Sequence, residues 1–192
     1  MCPDWYHSFR VFALDMGPRP SGKHSVERRD AVDVDRLQSA GRDVKSLLVG
    51  ESNPYGADPE FALYPSPRGC SGDRLCRLVL RMDPDDYIEK FDRVNLCAGP
   101  WSTPKARVKA REIFERRNAS SEDGPVVMLG AKVTNAFLIP FRPFTVTGRY
   151  VCLPHPSGLS RAWNDPCSYA LARSTLERAG VVAHLDSRVA AS

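Results

Sequence analysis

Lysine is scarce in this sequence, with 6 residues against 21 arginines. No C-x-x-C pair occurs among the six cysteines, Cys2, Cys70, Cys76, Cys97, Cys152 and Cys167, so the usual spacing of a zinc site is missing. No apolar run approaches the ~18 residues of a bilayer span, and no membrane segment is expected. The first residues, M-C-P-D-W-Y-H-S-F-R, lack a basic start followed by an apolar core, so no signal peptide is expected. Neither G-x-x-x-x-G-K-[ST] nor G-x-G-x-x-G is present, which disfavours a nucleoside triphosphate or dinucleotide site. G-x-S-x-G and H-E-x-x-H are missing too, which disfavours a serine hydrolase and a zinc protease. There is no internal repeat and no low-complexity tract.

The cysteines are scattered, and Cys97 and Cys152 sit in apolar runs. Buried free thiols in a reducing cytosol fit this better than disulfides, and a cytoplasmic location is expected. The arginine excess suits bidentate phosphate contacts, and an arginine-biased composition accounts for it equally well. With a net charge of only +4, a nucleic-acid partner is permitted but not required. The chain, 192 residues and 42% hydrophobic, is long enough for one domain with a normal core. The expected division is a lead-in arm over 1–23, one α/β domain over 24–186 and a tail over 187–192.

Four short apolar runs read as strands covered on both faces: Ser46–Val49, Arg93–Cys97, Val126–Leu129 and Tyr150–Leu153. Helical patterns separate them. They cover His24–Ala40, Ser71–Met82, Pro84–Phe91, Thr103–Arg117, Ala131–Leu138 and Pro166–Ala179. Thr103-Pro104 reads as an N-cap followed by proline, Ser71 and Asp165 as caps, and Gly180 as a stop. Alternating strands and helices imply a parallel sheet between helix layers, a three-layer α/β/α sandwich around four parallel strands.

Ligands of open parallel sheets bind beyond the carboxyl ends of the strands. Three such ends carry motif-like residues. The first run leads into G-E-S-N-P-Y-G-A-D, Gly50 to Asp58, where two glycines allow a tight turn and the close approach of a ligand, and Pro54 stiffens the backbone after Asn53. The second contains Asn95. The fourth leads into L-P-H-P-S-G-L-S-R, where His155 stands between two prolines and Leu159 forms an apolar tip in a polar loop. Such a tip gains nothing in water, and it suits insertion into something apolar outside the protein. L-G-A-K, after the third run, reads as a structural helix start.

Taken together, G-E-S-N-P-Y-G, N-L-C and H-P-S-G-L-S-R resemble the uracil-DNA glycosylase superfamily over roughly Ser46 to Ala179. Asn53-Pro54 and P-S-G-L-S-R are similar to its mismatch-specific branch, although His155 stands where that branch has asparagine. Tyr55 is similar to the uracil-specific branch, in which a tyrosine there blocks bulky C5 substituents. The cysteine pattern of the iron–sulfur branch is absent. The resemblance implies that Asn53 positions the attacking water or supports the cationic sugar. His155 donates to O2 of the departing pyrimidine. Asn95 reads the base edge, and Tyr64, or else Phe61, stacks on the flipped base; core packing is the plain alternative for both aromatics. Leu159 fills the gap left in the stack, while Ser157, Ser160 and Arg161 grip phosphates. Glu51 is close in sequence, but alternation can point it elsewhere.

The implied activity is that of a monofunctional DNA glycosylase, which releases a pyrimidine and leaves an abasic site. The long, polar segment Asp58–Gly72 leaves room for a substituent. The superfamily that the chain resembles includes bacterial defence glycosylases that act on glucosylated hydroxymethylcytosine, and the resemblance, with its mosaic motifs, sets a modified pyrimidine of hydroxymethylcytosine type, in antiviral defence, ahead of uracil in base-excision repair. The expected partner is double- or single-stranded DNA with an altered pyrimidine. No membrane contact, metal or other cofactor is expected, and the expected state is a monomer. Two rivals stay open: a non-catalytic DNA-binding or inhibitor module on the same fold, and an unrelated α/β enzyme for a small phosphorylated substrate.

Overall fold

Hydrophobic alternation organises the chain around its strands. The computed structural model describes residues 45–52, 58–120 and 123–182. The arm over 1–23, the helix expected over 24–40 and the tail over 187–192 lie outside the described residues. Five strands form one sheet: β1 Ser46–Ser52, β2 Phe91–Cys97, β3 Val126–Leu129, β4 Thr145–Thr147 and β5 Tyr150–Leu153. Their order is β2-β1-β3-β5-β4. The first four in that order run parallel, and β4 pairs antiparallel with β5.

The expected four-stranded parallel sheet is thus corrected to a mostly parallel sheet of five. The added strand is three residues long, too short to register as a run of its own. It is a hairpin arm: Thr147 pairs with Tyr150 across the Gly148-Arg149 turn, and Gly148 has φ +57. A positive φ at the first of two turn residues suits the tight primed hairpins.

The strand residues alternate between two cores. Leu47, Val49, Val126, Met128 and Cys152 face one side, where Ala106, Ala110, Ile113, Val133 and Phe137 pack. Leu48, Val127, Leu129, Val151 and Leu153 face the other, against Leu75, Val79, Tyr87, Trp163 and Leu176. Period-2 alternation with both faces apolar is what a parallel sheet flanked by helices requires. The arrangement is α/β and compatible with a three-layer sandwich.

The helices on the first side are α3 Thr103–Ala119 and α4 Ala131–Ala136. On the second side lie α1 Ser71–Arg74, which continues as a π-helical stretch Leu75–Leu80, then α2 Pro84–Lys90 and α5 Cys167–Arg178. Several caps fall one residue from expectation. Cys70, not Ser71, caps α1, its Sγ accepting the Asp73 N–H at 3.4 Å. Ser102 takes the cap position of α3, with Thr103 and Pro104 already helical. Pro166, not Asp165, takes the cap position of the helix Cys167–Arg178, although Asp165 Oδ1 accepts the Cys167 N–H at 2.9 Å. No helix among the described residues is long and apolar enough to cross a membrane.

Two properties of β1 decide where a ligand can sit. β1 lies between β2 and β3, so chain order reverses there, and the carboxyl ends of β1 and β3 form the switch point where such sheets bind ligands. β1 also runs on to Ser52, so Glu51 and Ser52 are strand residues rather than part of a loop beginning at Gly50.

Candidate functional site

A cavity of about 690 Å³ opens at the carboxyl ends of the strands. β1 contributes Glu51 and Ser52, β2 contributes Asn95, and the segment after β5 contributes His155, Ser157 and Gly158. The fourth wall is the stretch from Phe61 to Gly72, including Tyr64. Asn95, Tyr64, His155 and Ser157, singled out separately in the sequence, therefore face one space.

Asn95 is paired in register with Gly50 on the neighbouring strand. Its side chain lies across that glycine, and a Cβ on Gly50 would overlap Asn95 Oδ1. Gly50 is thus required for the room it leaves, not for a turn. Asn95 Oδ1 is buried and has no hydrogen-bond partner among the described residues. An orphaned buried acceptor costs about 1–3 kcal/mol, and a ligand donor would satisfy it.

The Phe61–Gly72 wall is tied down along its length. Tyr87 Oη donates to the Leu63 carbonyl at 3.0 Å, and Arg93 Nη1 to the Ala62 carbonyl at 3.4 Å. Cys70 Sγ donates to the Tyr64 carbonyl at 3.2 Å. The buried Asp73 carboxylate accepts from the Gly69 N–H at 2.8 Å and from Arg77 Nε at 2.7 Å. These ties fix the Tyr64 ring, which meets Phe61 edge-on at 5.7 Å between centroids and carries the Arg93 guanidinium 5.7 Å from its own. Tyr64 is half-buried and Phe61 is exposed, so neither is an ordinary core residue. An aromatic ring held on a cavity wall is suited to stacking on a flat ligand.

His155 is held by its own loop. The Ser157 N–H donates to His155 Nδ1 at 3.2 Å, and Trp163 Nε1 donates to the His155 carbonyl at 2.8 Å. Burial holds the imidazole pKa below its ordinary 6.5; the Glu51 carboxylate pulls it up and the Lys132 ammonium pushes it down. At neutral pH the ring is therefore uncharged. With Nδ1 accepting, the hydrogen-bond network assigns the single proton to Nε2, a neutral donor.

Lys132 is a member of this site that the sequence reading missed. It lies in the first turn of α4, and its Nζ is 3.0 Å from Glu51 Oε2 and 5.7 Å from the centroid of the Trp101 ring. Between Glu51 and His155 is Gly130, with φ +96; a Cβ there would stand 3.0 Å from His155 Cβ and 3.3 Å from Glu51 Oε1. L-G-A-K, expected to be structural, supplies both the gap and the lysine. Glu51, whose direction was open, lines the cavity.

Beyond His155 the loop climbs out of the protein. Leu159 is 95% exposed, an apolar side chain almost wholly in water. The Ser160 N–H donates to the Ser157 carbonyl at 3.1 Å, closing a turn beneath it. Arg161 is exposed at the start of a 3-10 turn, Arg161–Asn164, and makes no ion pair among the described residues. Arg74 Nη1 approaches Gly158 from α1, adding a second guanidinium beside the tip. Asn53 and Tyr55 lie outside the described residues. No group of three or more His, Cys, Asp or Glu among the described residues is placed to hold a metal ion. The chain matches no family model, no curated protein and no solved structure.

Proposed function

We propose that the chain is a monofunctional DNA glycosylase of uracil-DNA glycosylase type, with that superfamily's three-layer sandwich. It flips a pyrimidine out of DNA and hydrolyses its N-glycosidic bond. The observation that carries this is a conjunction. A histidine whose Nδ1 accepts from its own loop, a buried amide oxygen with no partner among the described residues and a fixed tyrosine ring face one cavity, and the loop that bears the histidine presents a 95% exposed leucine. A small-molecule enzyme has use for the first three and none for the leucine. A non-catalytic DNA-binding module has use for the leucine and none for the cavity.

As the C1′–N1 bond lengthens, its electron pair moves onto the pyrimidine and charge develops at O2. An Nε2–H donor from His155 stabilises that charge without first having to lose or gain a proton. Asn95 meets the base edge through its buried acceptor, which calls for a donor such as N3–H or an exocyclic amine. Tyr64 stacks on the ring. Leu159 occupies the vacated place in the stack, and Arg161, with Ser157 and Ser160, contacts phosphates.

A modified pyrimidine of hydroxymethylcytosine type, removed in antiviral defence, is the favoured substrate. The cavity is within the ~300–1,000 Å³ range that suits drug-sized ligands, generous for a bare pyrimidine. Uracil in base-excision repair is the second reading, favoured by Tyr55 after Pro54.

The test is a panel of duplexes, each with one altered pyrimidine, assayed for alkali-labile abasic sites. Asn53→Ala and His155→Ala are each expected to slow single-turnover base release by ~10²–10³ on the active substrate. Wild-type protein that leaves every duplex intact refutes the proposal. Borohydride trapping of a protein–DNA adduct would refute the monofunctional part.

A further inference from the structure

We propose that Glu51 takes the proton of the attacking water and that Lys132 is the residue that positions it. This rests on the glycosylase reading. In that reading the motif after β1 offers Asn53, a neutral amide with no carboxylate to accept a proton. Asn53 itself offers no base, but Glu51, two residues earlier in the same motif, lines the cavity.

Glu51 lies near the end of β1 and lines the cavity, its side chain 20% exposed. One carboxylate oxygen, Oε2, is engaged by Lys132 Nζ at 3.0 Å. The other, Oε1, has no hydrogen-bond partner among the described residues and is directed toward the bare backbone of Gly130, on which His155 also closes. A carboxylate with one oxygen anchored and the other without a bond among the described residues, beside the imidazole, is arranged as an oriented base. An ion pair serving only to tie β1 to α4 has no need of a cavity wall.

Lys132 has a second effect. A bare carboxylate beside His155 favours the imidazolium, whereas the proposed donor is the neutral ring. The ammonium opposes that pull, so that an anionic base and an uncharged imidazole coexist. Among the described residues the charged groups around His155 are Glu51 from β1 and Lys132 from α4, with the Arg74 guanidinium from α1 at Gly158.

In the step itself the water oxygen bonds to C1′ as the C1′–N1 pair leaves with the base. One water proton passes to Glu51 Oε1 and the other stays on the new C1′ hydroxyl. Glu51 then gives its proton to the released base anion or to solvent, and returns to its starting state.

The experiment is single-turnover base release by the full chain on its active duplex. Glu51→Gln is expected to slow release by ~10²–10⁴, the range of a lost general base. Its melting temperature should match wild type within error, and its affinity for a non-cleavable 2′-fluoro duplex should stay within about threefold. Lys132→Met should slow release about tenfold, Lys132→Arg should restore most of it, and Lys132→Met should add little on top of Glu51→Gln. Formate should partly restore release by Glu51→Gly. Wild-type base release checks the glycosylase reading by itself. If His155→Ala is slow while Glu51→Gln runs at near wild-type rate, the glycosylase reading stands and the Glu51 role is overturned. Equal losses with Lys132→Met and Lys132→Arg, or additive losses with Glu51→Gln, overturn the role of Lys132.

Discussion

The backbone N–H of Ser157 donates to Nδ1 of His155 across 3.2 Å, so the ring and the loop it sits in fix one another. The tautomer that presents Nε2–H is set by a residue two positions along, not by a distant carboxylate. Protonating Nδ1 destroys that acceptor and releases the loop.

The consequence is a pH dependence with a definite sign. Burial lowers the folded pKa of His155 below its ordinary 6.5. Its contribution to stability is complete above about 6.5, the unfolded value, and is lost as pH falls through the lowered folded value. Base release should be level across neutral pH and decline on the acid side of that value. NMR titration of the His155 ring alongside the rate profile checks this; an imidazole titrating above 6.5 contradicts it.

Gly50→Ala should displace the Asn95 side chain, because the new Cβ overlaps Oδ1 and presses on Leu63. Losing one positioned hydrogen bond of about 1.4 kcal/mol weakens 2′-fluoro duplex binding roughly tenfold. Gly99→Ala is the control, since apart from its chain neighbours no atom of the described residues lies within 4 Å of its added methyl. Equal affinities for the two variants would show that Asn95 does not contact the ligand.

Leu159→Ala should cost most on a fully paired target, less on a mismatch and least on single-stranded DNA, because holding a base out of a duplex requires a few kcal/mol that a single strand does not. The same loss on all three substrates would reduce Leu159 to a packing residue of its loop. Arg161→Ala should weaken binding to every substrate and lower the salt slope by about one phosphate contact. Titrations at several salt concentrations separate the two roles.

The Cys76 thiol is buried and pushed up to about 11, chiefly by desolvation. Cys167 is exposed at the start of α5. Alkylation of native protein at pH 8 should therefore label Cys167 and spare Cys76, whose peptide becomes labelled only after unfolding. Peptide mapping by mass decides it. Rapid native labelling of Cys76 would mean that the π-helical stretch opens readily.

β1, β3 and β5 were legible because each holds a short apolar run, the mark of a strand buried on both faces, while β2, an edge strand carrying Asp92, Arg93 and Asn95, gave a weaker signal. Asn95 and His155 followed from the rule that such sheets bind at the carboxyl ends of their strands. β4 was not legible, since three residues are too few for a period and its pairing with β5 is a tertiary fact. Lys132 escaped for a different reason. It meets Glu51 across 81 positions of sequence, and the side to which Glu51 turns depends on β1 continuing to Ser52. Gly50 is needed for close approach, as its lack of a side chain suggests, but only the register reveals that Asn95 takes the room.

The small strand β4 has a consequence for how motion is distributed. Without it β5 would be the sheet's open edge; with it, β5 is hydrogen-bonded on both sides and buried along Tyr150–Leu153. Amide protons in such a strand exchange with solvent only through large openings of the whole molecule. Immediately afterwards the chain passes Pro154 and Pro156, which have no amide proton, and reaches the exposed tip at Leu159. A slow-exchanging anchor thus gives way to a fast-exchanging tip within a few residues. Docking of the tip into a duplex would appear as protection confined to Ser157–Arg161, against a β5 whose exchange is already too slow to change.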